Sequence, residues 1–133
     1  CTVTISDEEI GSAMVRNPTA VIAMNLPSLD KYESLVKPGG LLVVNSSIID
    51  RVPTRTDIRV VLVPGNDIAE RIGNPRMTNM VLLGALLANL EIIPLEAVEK
   101  ALREHLPERH HKLLPLNYQS LREGATYAAQ PVK

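Results

Sequence analysis

Three short apolar runs constrain the fold of this chain more than any other feature of it. Ala20-Val21-Ile22-Ala23-Met24, Leu41-Leu42-Val43-Val44 and Val60-Val61-Leu62-Val63 hold no polar residue. A strand with one wet face alternates polar and apolar residues, whereas a strand covered on both faces does not. The runs therefore predict strands of a parallel sheet with helices on its two faces. Between the first two, Leu29, Tyr32, Leu35 and Val36 fall at helical spacing within Pro27 to Val36, with Ser28 as the expected cap. Pro38-Gly39-Gly40 stops that helix and turns the chain into the next strand. The span reads as a βαβ unit, right-handed by default. Thr2-Val3-Thr4-Ile5-Ser6 does alternate, which predicts a further strand near a sheet edge, and Asp7, Glu8, Glu9 and Gly11 read as a turn.

After Val63 the pattern changes. Pro64 and Gly65 break the run, and Asn66 or Asp67 is the expected cap of a short helix through Ile72, closed by Gly73. Asn74-Pro75 is a second break, because a residue before proline avoids the helical region. From Met77 to Leu90 there is no charge at all. A helix apolar all round is covered on most sides. Gly84 within it costs about 1 kcal/mol relative to Ala, which points to a closely packed neighbour. Pro94 opens another helix, with Leu95, Val98, Leu102 and Leu106 on one stripe and Glu96, Glu99, Lys100, Arg103 and Glu104 on the other. Pro107 ends it, and a last helical stretch runs from His111 to Ala128, interrupted at Pro115. The chain reads as α/β: one domain over residues 1–133, with a mostly parallel, Rossmann-like sheet, flanking helices and a helical C-terminal third.

Composition excludes several functions. Fourteen Lys and Arg stand against fifteen Asp and Glu, a net charge of -1, so no field of one sign is available to hold nucleic acid or an anionic membrane. Phe and Trp are absent, which removes the aromatic platform on which bases stack. One cysteine, Cys1, cannot close an internal disulfide or furnish an iron–sulfur or four-Cys zinc site from this chain alone. It reads as a plain thiol suited to a reducing cytoplasm. No apolar run approaches the roughly 20 residues that span a bilayer, and no basic start leads into an apolar stretch as in a secretory signal.

The chemistry-bearing residues are few. His105, His110 and His111 read as a solvated polar face, since adjacent side chains diverge on a helix; His111 lies at helical spacing from Glu104 and Glu108. No Ser-His-Asp or nucleophile-elbow string is present. The chain therefore reads as having no catalytic residue and no metal ligand of its own. Lys37-Pro38-Gly39-Gly40-Leu41-Leu42-Val43-Val44 is similar to a string in class I methyltransferases, but the Gly-rich loop those enzymes need is missing. Asn45, Ser46 and Ser47 lie just past one buried strand, and Asn25, Pro27 and Ser28 lie at the same end of its neighbour. Open α/β sheets bind ligands in that crevice. These residues offer small donors and acceptors and a helix N-terminus able to receive a phosphate or carboxylate. They also read as caps and strand-end partners. Asn74 and Asn79 bracket the turn into the uncharged helix, which reads either as a turn with its cap or as a subunit contact.

Taken in order, Met24-Asn25-Leu26-Pro27-Ser28-Leu29, Lys37-Pro38-Gly39-Gly40, Asn45-Ser46-Ser47-Ile48-Ile49, Asp67-Ile68-Ala69-Glu70 with Gly73-Asn74-Pro75-Arg76, and Asn79-Met80-Val81-Leu82-Leu83-Gly84-Ala85 resemble the gamma subunit of 2-oxoacid:ferredoxin oxidoreductases. The resemblance runs from Cys1 to Leu106 and rests on the order and spacing of the segments. It lacks the family's opening strand and G-x-G-G-Q-G turn, so the chain is similar to the C-terminal two-thirds of such a subunit. The resemblance implies a non-catalytic component of a cytoplasmic enzyme of anaerobic metabolism, which decarboxylates a 2-oxoacid such as pyruvate, 2-oxoglutarate or 2-ketoisovalerate and forms acyl-CoA. Thiamine diphosphate and iron–sulfur clusters are then expected in partner subunits: alpha, beta and ferredoxin-like. The surface implied to face those subunits and coenzyme A comprises Asn25, Pro27, Ser28, Asn45, Ser46, Ser47, Asn74 and Asn79. A bare sheet edge favours self-association of the isolated chain. The alternative reading is a stand-alone α/β module binding a nucleotide or acyl-CoA.

Overall fold

The structure, a computed structural model, describes residues 1–12 and 14–129. Three parallel strands form the sheet: β1 (Ala20–Ala23), β2 (Leu41–Asn45) and β3 (Arg59–Val63), in the order β1-β2-β3. Ala20 lies beside Leu41, and Leu41 beside Arg59. Every residue of the central strand is buried. Successive side chains of a strand point to opposite faces. Leu42 and Val44 join Ala23, Leu29, Val36 and Ile49 on one face; Leu41, Val43 and Val63 join Ile68, Val81, Leu82 and Ala85 on the other. Double coverage accounts for the central run; the edge strands β1 and β3 are only partly covered, and Leu62 of β3 is exposed despite its apolar side chain.

The first face is covered by α1 (Leu26–Tyr32), which continues as a 3-10 turn (Glu33–Leu35). The helix is therefore shorter than the expected Pro27 to Val36. Its cap is Asn25 and not Ser28: the Asn25 Oδ1 accepts the Ser28 amide at 3.0 Å. Gly39, at φ +79°, makes the turn into β2 in a conformation that favours glycine.

The second face carries α2 (Gly65–Ile72), α3 (Thr78–Asn89) and α5 (Leu114–Ala128), with α4 (Leu95–His105) packed outside against α5. Gly73, at φ +105°, closes α2. The chargeless α3 is wedged between the sheet and α5. A Cβ on Gly84 would overlap the Leu121 carbonyl, as the cost of a mid-helix glycine anticipates, and one on Gly124 would overlap the Val81 carbonyl. Both helices thus give up a side chain at the crossing so that their backbones touch. Of the polar stripe expected on α4, Glu99 departs: it is mostly covered, and its Oε1 lies 2.8 Å from Nε of Arg122 on α5.

Two further expectations fail. Thr2 to Ser6 is not a strand. The segment is exposed, and its end turns through Ser6 Oγ, which accepts the Glu8 amide at 3.0 Å. Alternation makes a strand only where another strand offers its edge, and among the described residues no strand lies beside it. Pro115 does not interrupt a helix either. A 3-10 turn (Glu108–Leu113) comes first, and Pro115 falls in the first turn of α5, where its missing N–H leaves no bond unmade.

Candidate functional site at the strand tips

Because the strands are parallel, their C-terminal ends line one edge of the sheet, and the loops that leave them meet there. Asn45 is the hub. Its side chain is buried, the residue being only 1% exposed. Its Nδ2 donates to the Met24 carbonyl at 3.2 Å and to Asn66 Oδ1 at 2.8 Å. Its Oδ1 accepts the Gly65 amide at 3.1 Å. One amide therefore links the end of β1, the end of β2 and the start of α2. The Ser46 amide donates to the Val63 carbonyl at 2.9 Å, and Ser47 Oγ accepts the Asp67 amide at 3.2 Å.

These bonds correct the expected cap of α2. Neither Asn66 nor Asp67 caps it; both lie inside its first turn, and Pro64 holds the cap position without a side-chain oxygen. The first-turn amides are instead met from β2, by Asn45 and Ser47. The same bonds alter the expected anion-receiving helix end. The amides of Ser28, Leu29, Gly65, Asp67 and Ile68 all donate within the protein, and Pro27 has no N–H. What the edge presents outward is mixed: Asn25, Pro27 and the charged Asp67 are exposed, as are the apolar Leu26 and Ile48, and Ser28, Ser46 and Ser47 are half-buried.

Thr78 reaches this edge as well, since a Cβ on Gly65 would sit 3.1 Å from its Cγ2. That brings the neighbouring Asn79, exposed and with its Oδ1 on its own Met80 amide at 2.9 Å, to the start of α3 beside the tips. Asn74 is held elsewhere. It caps the 3-10 turn Pro75–Met77 by accepting the Arg76 amide at 3.0 Å, and its own amide donates to the Ala69 carbonyl at the far end of α2.

One group away from the tips, past the far end of α1, has no counterpart in the sequence pattern. The segment 46–58 returns from the tip of β2 to the start of β3, and Glu33 pins it. This carboxylate is 7% exposed. It accepts the Thr54 amide at 2.6 Å and lies 2.8 Å from Arg51, which also reaches Asp30. Arg55 donates to the carbonyls of Glu33 and Val36 at 3.0 and 2.6 Å and pairs with Asp57. Burial alone pushes the Glu33 carboxyl up, but the Thr54 amide and the Arg51 guanidinium outweigh it and hold it below the ordinary value of 4.5. The partners stand about twenty residues from Glu33 in sequence, a separation no local periodicity marks.

The histidines do not converge. His110 accepts a hydrogen bond from Arg109 at 3.1 Å, and His111 Nε2 lies 2.7 Å from the Leu106 carbonyl, not on Glu104 or Glu108. Among the described residues no three His, Cys, Asp or Glu side chains gather where they can hold a metal ion. No described helix is long and apolar enough to cross a membrane. Cys1 is exposed.

Residues 1–127 match the model of the family described as pyruvate ferredoxin/flavodoxin oxidoreductase. The ketoisovalerate oxidoreductase subunit VorA of Methanothermobacter marburgensis is 30% identical over 129 residues, which are 96% of this chain and 27% of that protein. The 2-oxoglutarate synthase subunit KorC of Methanocaldococcus jannaschii is 33% identical over 109 residues, 80% of this chain and 58% of that protein. The crystal structure of a keto/oxoacid ferredoxin oxidoreductase gamma subunit from Geobacter sulfurreducens superposes with a TM-score of 0.80 at 27% identity, covering 92% of this chain and 66% of that one. The chain thus spans about a quarter of the length of VorA and less than two thirds of that of this KorC.

Proposed function

This chain belongs to the pyruvate ferredoxin/flavodoxin oxidoreductase family, and on that premise we propose that it serves as the gamma component of an oxidoreductase that converts a 2-oxoacid to acyl-CoA and passes the electrons to ferredoxin. The observation that carries the reading is the continuous family match over residues 1–127, joined to relatives that are themselves subunits of ketoisovalerate and 2-oxoglutarate enzymes. In this reading residues 1–133 act as one domain, corresponding to the C-terminal two-thirds of a gamma subunit. The enzyme works in the cytoplasm of a cell using anaerobic metabolism. Thiamine diphosphate and the iron–sulfur clusters sit in the alpha, beta and ferredoxin-like partners. Thiamine diphosphate would supply the decarboxylation there, and the clusters the path for electrons.

The role left to this chain is structural and directional. It packs on the catalytic subunits and shapes the approach of coenzyme A. The tip surface of Asn25, Pro27, Ser28, Ser46, Ser47 and Asn79 is the contact face in this proposal. Beside these small donors and acceptors the same edge exposes the Asp67 carboxylate and the apolar Leu26 and Ile48, the mix of polar and apolar groups with which a subunit surface meets a partner. Asn74, tied to the end of α2, lies outside the cluster of bonds that joins the tips. Replacing Ser28, Ser46 and Ser47 together by alanine in the complex tests the assignment. The expected result is weaker assembly or a raised KM for coenzyme A. Unchanged assembly and an unchanged KM would contradict it.

A further inference from the structure

We propose that Asn45 is the positioning residue of the tip surface, acting on partner or coenzyme A without touching either. The inference rests on the reading that the tips face the rest of the complex. The accessible residues, Asn25, Ser28, Ser46 and Ser47, each bond to one neighbouring segment at most. None of them can fix the spacing of the edge. Asn45 can, because its single planar amide reaches the Met24 carbonyl, Asn66 Oδ1 and the Gly65 amide at once. A planar group with two donors on one side and an acceptor on the other holds three segments at fixed angles as well as fixed distances. At 1% exposure it is closed to any ligand. Its influence on binding therefore passes through the groups it places, which makes it distinct from the contact residues among which the sequence pattern puts it.

The test uses the assembled oxidoreductase complex carrying this chain. Asn45→Ala is compared with Leu121→Ala, which removes a fully buried side chain of α5 at the α3–α5 crossing. Subunit affinity, the KM for coenzyme A, kcat per assembled complex and Tm are measured for both. The expected result is that Asn45→Ala raises the KM or the subunit Kd about fivefold, the size of one lost hydrogen bond, with kcat unchanged. Leu121→Ala, at an equal or larger loss of Tm, moves neither constant. If the two variants shift the constants only in proportion to lost Tm, Asn45 is a purely structural residue and the inference fails. If the Ser28, Ser46 and Ser47 triple variant is silent as well, the tip reading has failed and the inference goes with it. Should Asn45→Ala not fold, Asn45→Ser, which keeps a short hydroxyl, is read by the same criteria.

Discussion

On one face of the sheet α3 crosses α5 with two glycines at the contact, so that helix backbones meet directly. On the other face a short helix shares the work with segment 46–58, which is tied down by a buried carboxylate and two arginines. The α3–α5 face is held by shape. Its atoms are in van der Waals contact, and any added volume must displace a helix. The α1 face has an apolar core of its own around Leu29, Val36 and Ile49, and the segment laid over it is held by charge and direction. Its segment has no repeating hydrogen bonds of its own, so side chains must satisfy its backbone. Steric packing of this kind depends little on solution conditions, whereas the Glu33 network depends on an ionised carboxylate.

The largest expected effect is on the steric face. Gly124→Ala puts a Cβ into the Val81 carbonyl and is expected to cost about 3 kcal/mol, an overpacking penalty with backbone as the obstacle, read from denaturant unfolding. Gly84→Ala is expected to behave alike. The double variant should fall short of the sum, because both changes open the same crossing. Strict additivity would show that the crossing does not move as a unit. Next comes the polar face. Glu33→Gln keeps the shape but removes the charge from Arg51 and Thr54, at a cost of about 2 kcal/mol. The loss should appear as faster amide exchange in 51–57 while α3 stays protected. The pH dependence has the same origin. The folded Glu33 carboxyl lies below 4.5, so its contribution is fully present above that value and fades as the pH falls through the lowered one. In Glu33→Gln that part of the acid sensitivity should vanish; if it persists, the network is not its source. Arg122→Ala is the smallest, because the arginine side of that ion pair is open to water. A Tm loss comparable to that of Glu33→Gln would contradict the contrast between buried and exposed pairs.

The faces also differ in how well the sequence reveals them. The strands, the βαβ unit, the chargeless α3 and the tight neighbour of Gly84 all follow from periodicity or from a residue that costs stability where it stands. Gly124 needed the three-dimensional crossing to make sense of it, since one glycine near a chain end is unremarkable in sequence. The Glu33 network left no local mark, because its partners come together only once β1, β2 and β3 are in register. At the tips, the pattern put the ends of β1 and β2 side by side, as they are, but treated Asn45 as one contact among equals. Its burial and three bonds are tertiary facts. Thr2 to Ser6 shows the opposite error, since alternation was legible there but among the described residues no strand lies beside it.

The most direct test is to purify this chain, tagged, from its own organism under anoxic conditions and to ask what it carries. The account predicts that it elutes with a thiamine-diphosphate subunit and a ferredoxin-like subunit, and that the eluate reduces a low-potential acceptor only when both a 2-oxoacid and coenzyme A are supplied. Elution of the chain alone, soluble and without that activity, would contradict the account and favour a stand-alone binding module.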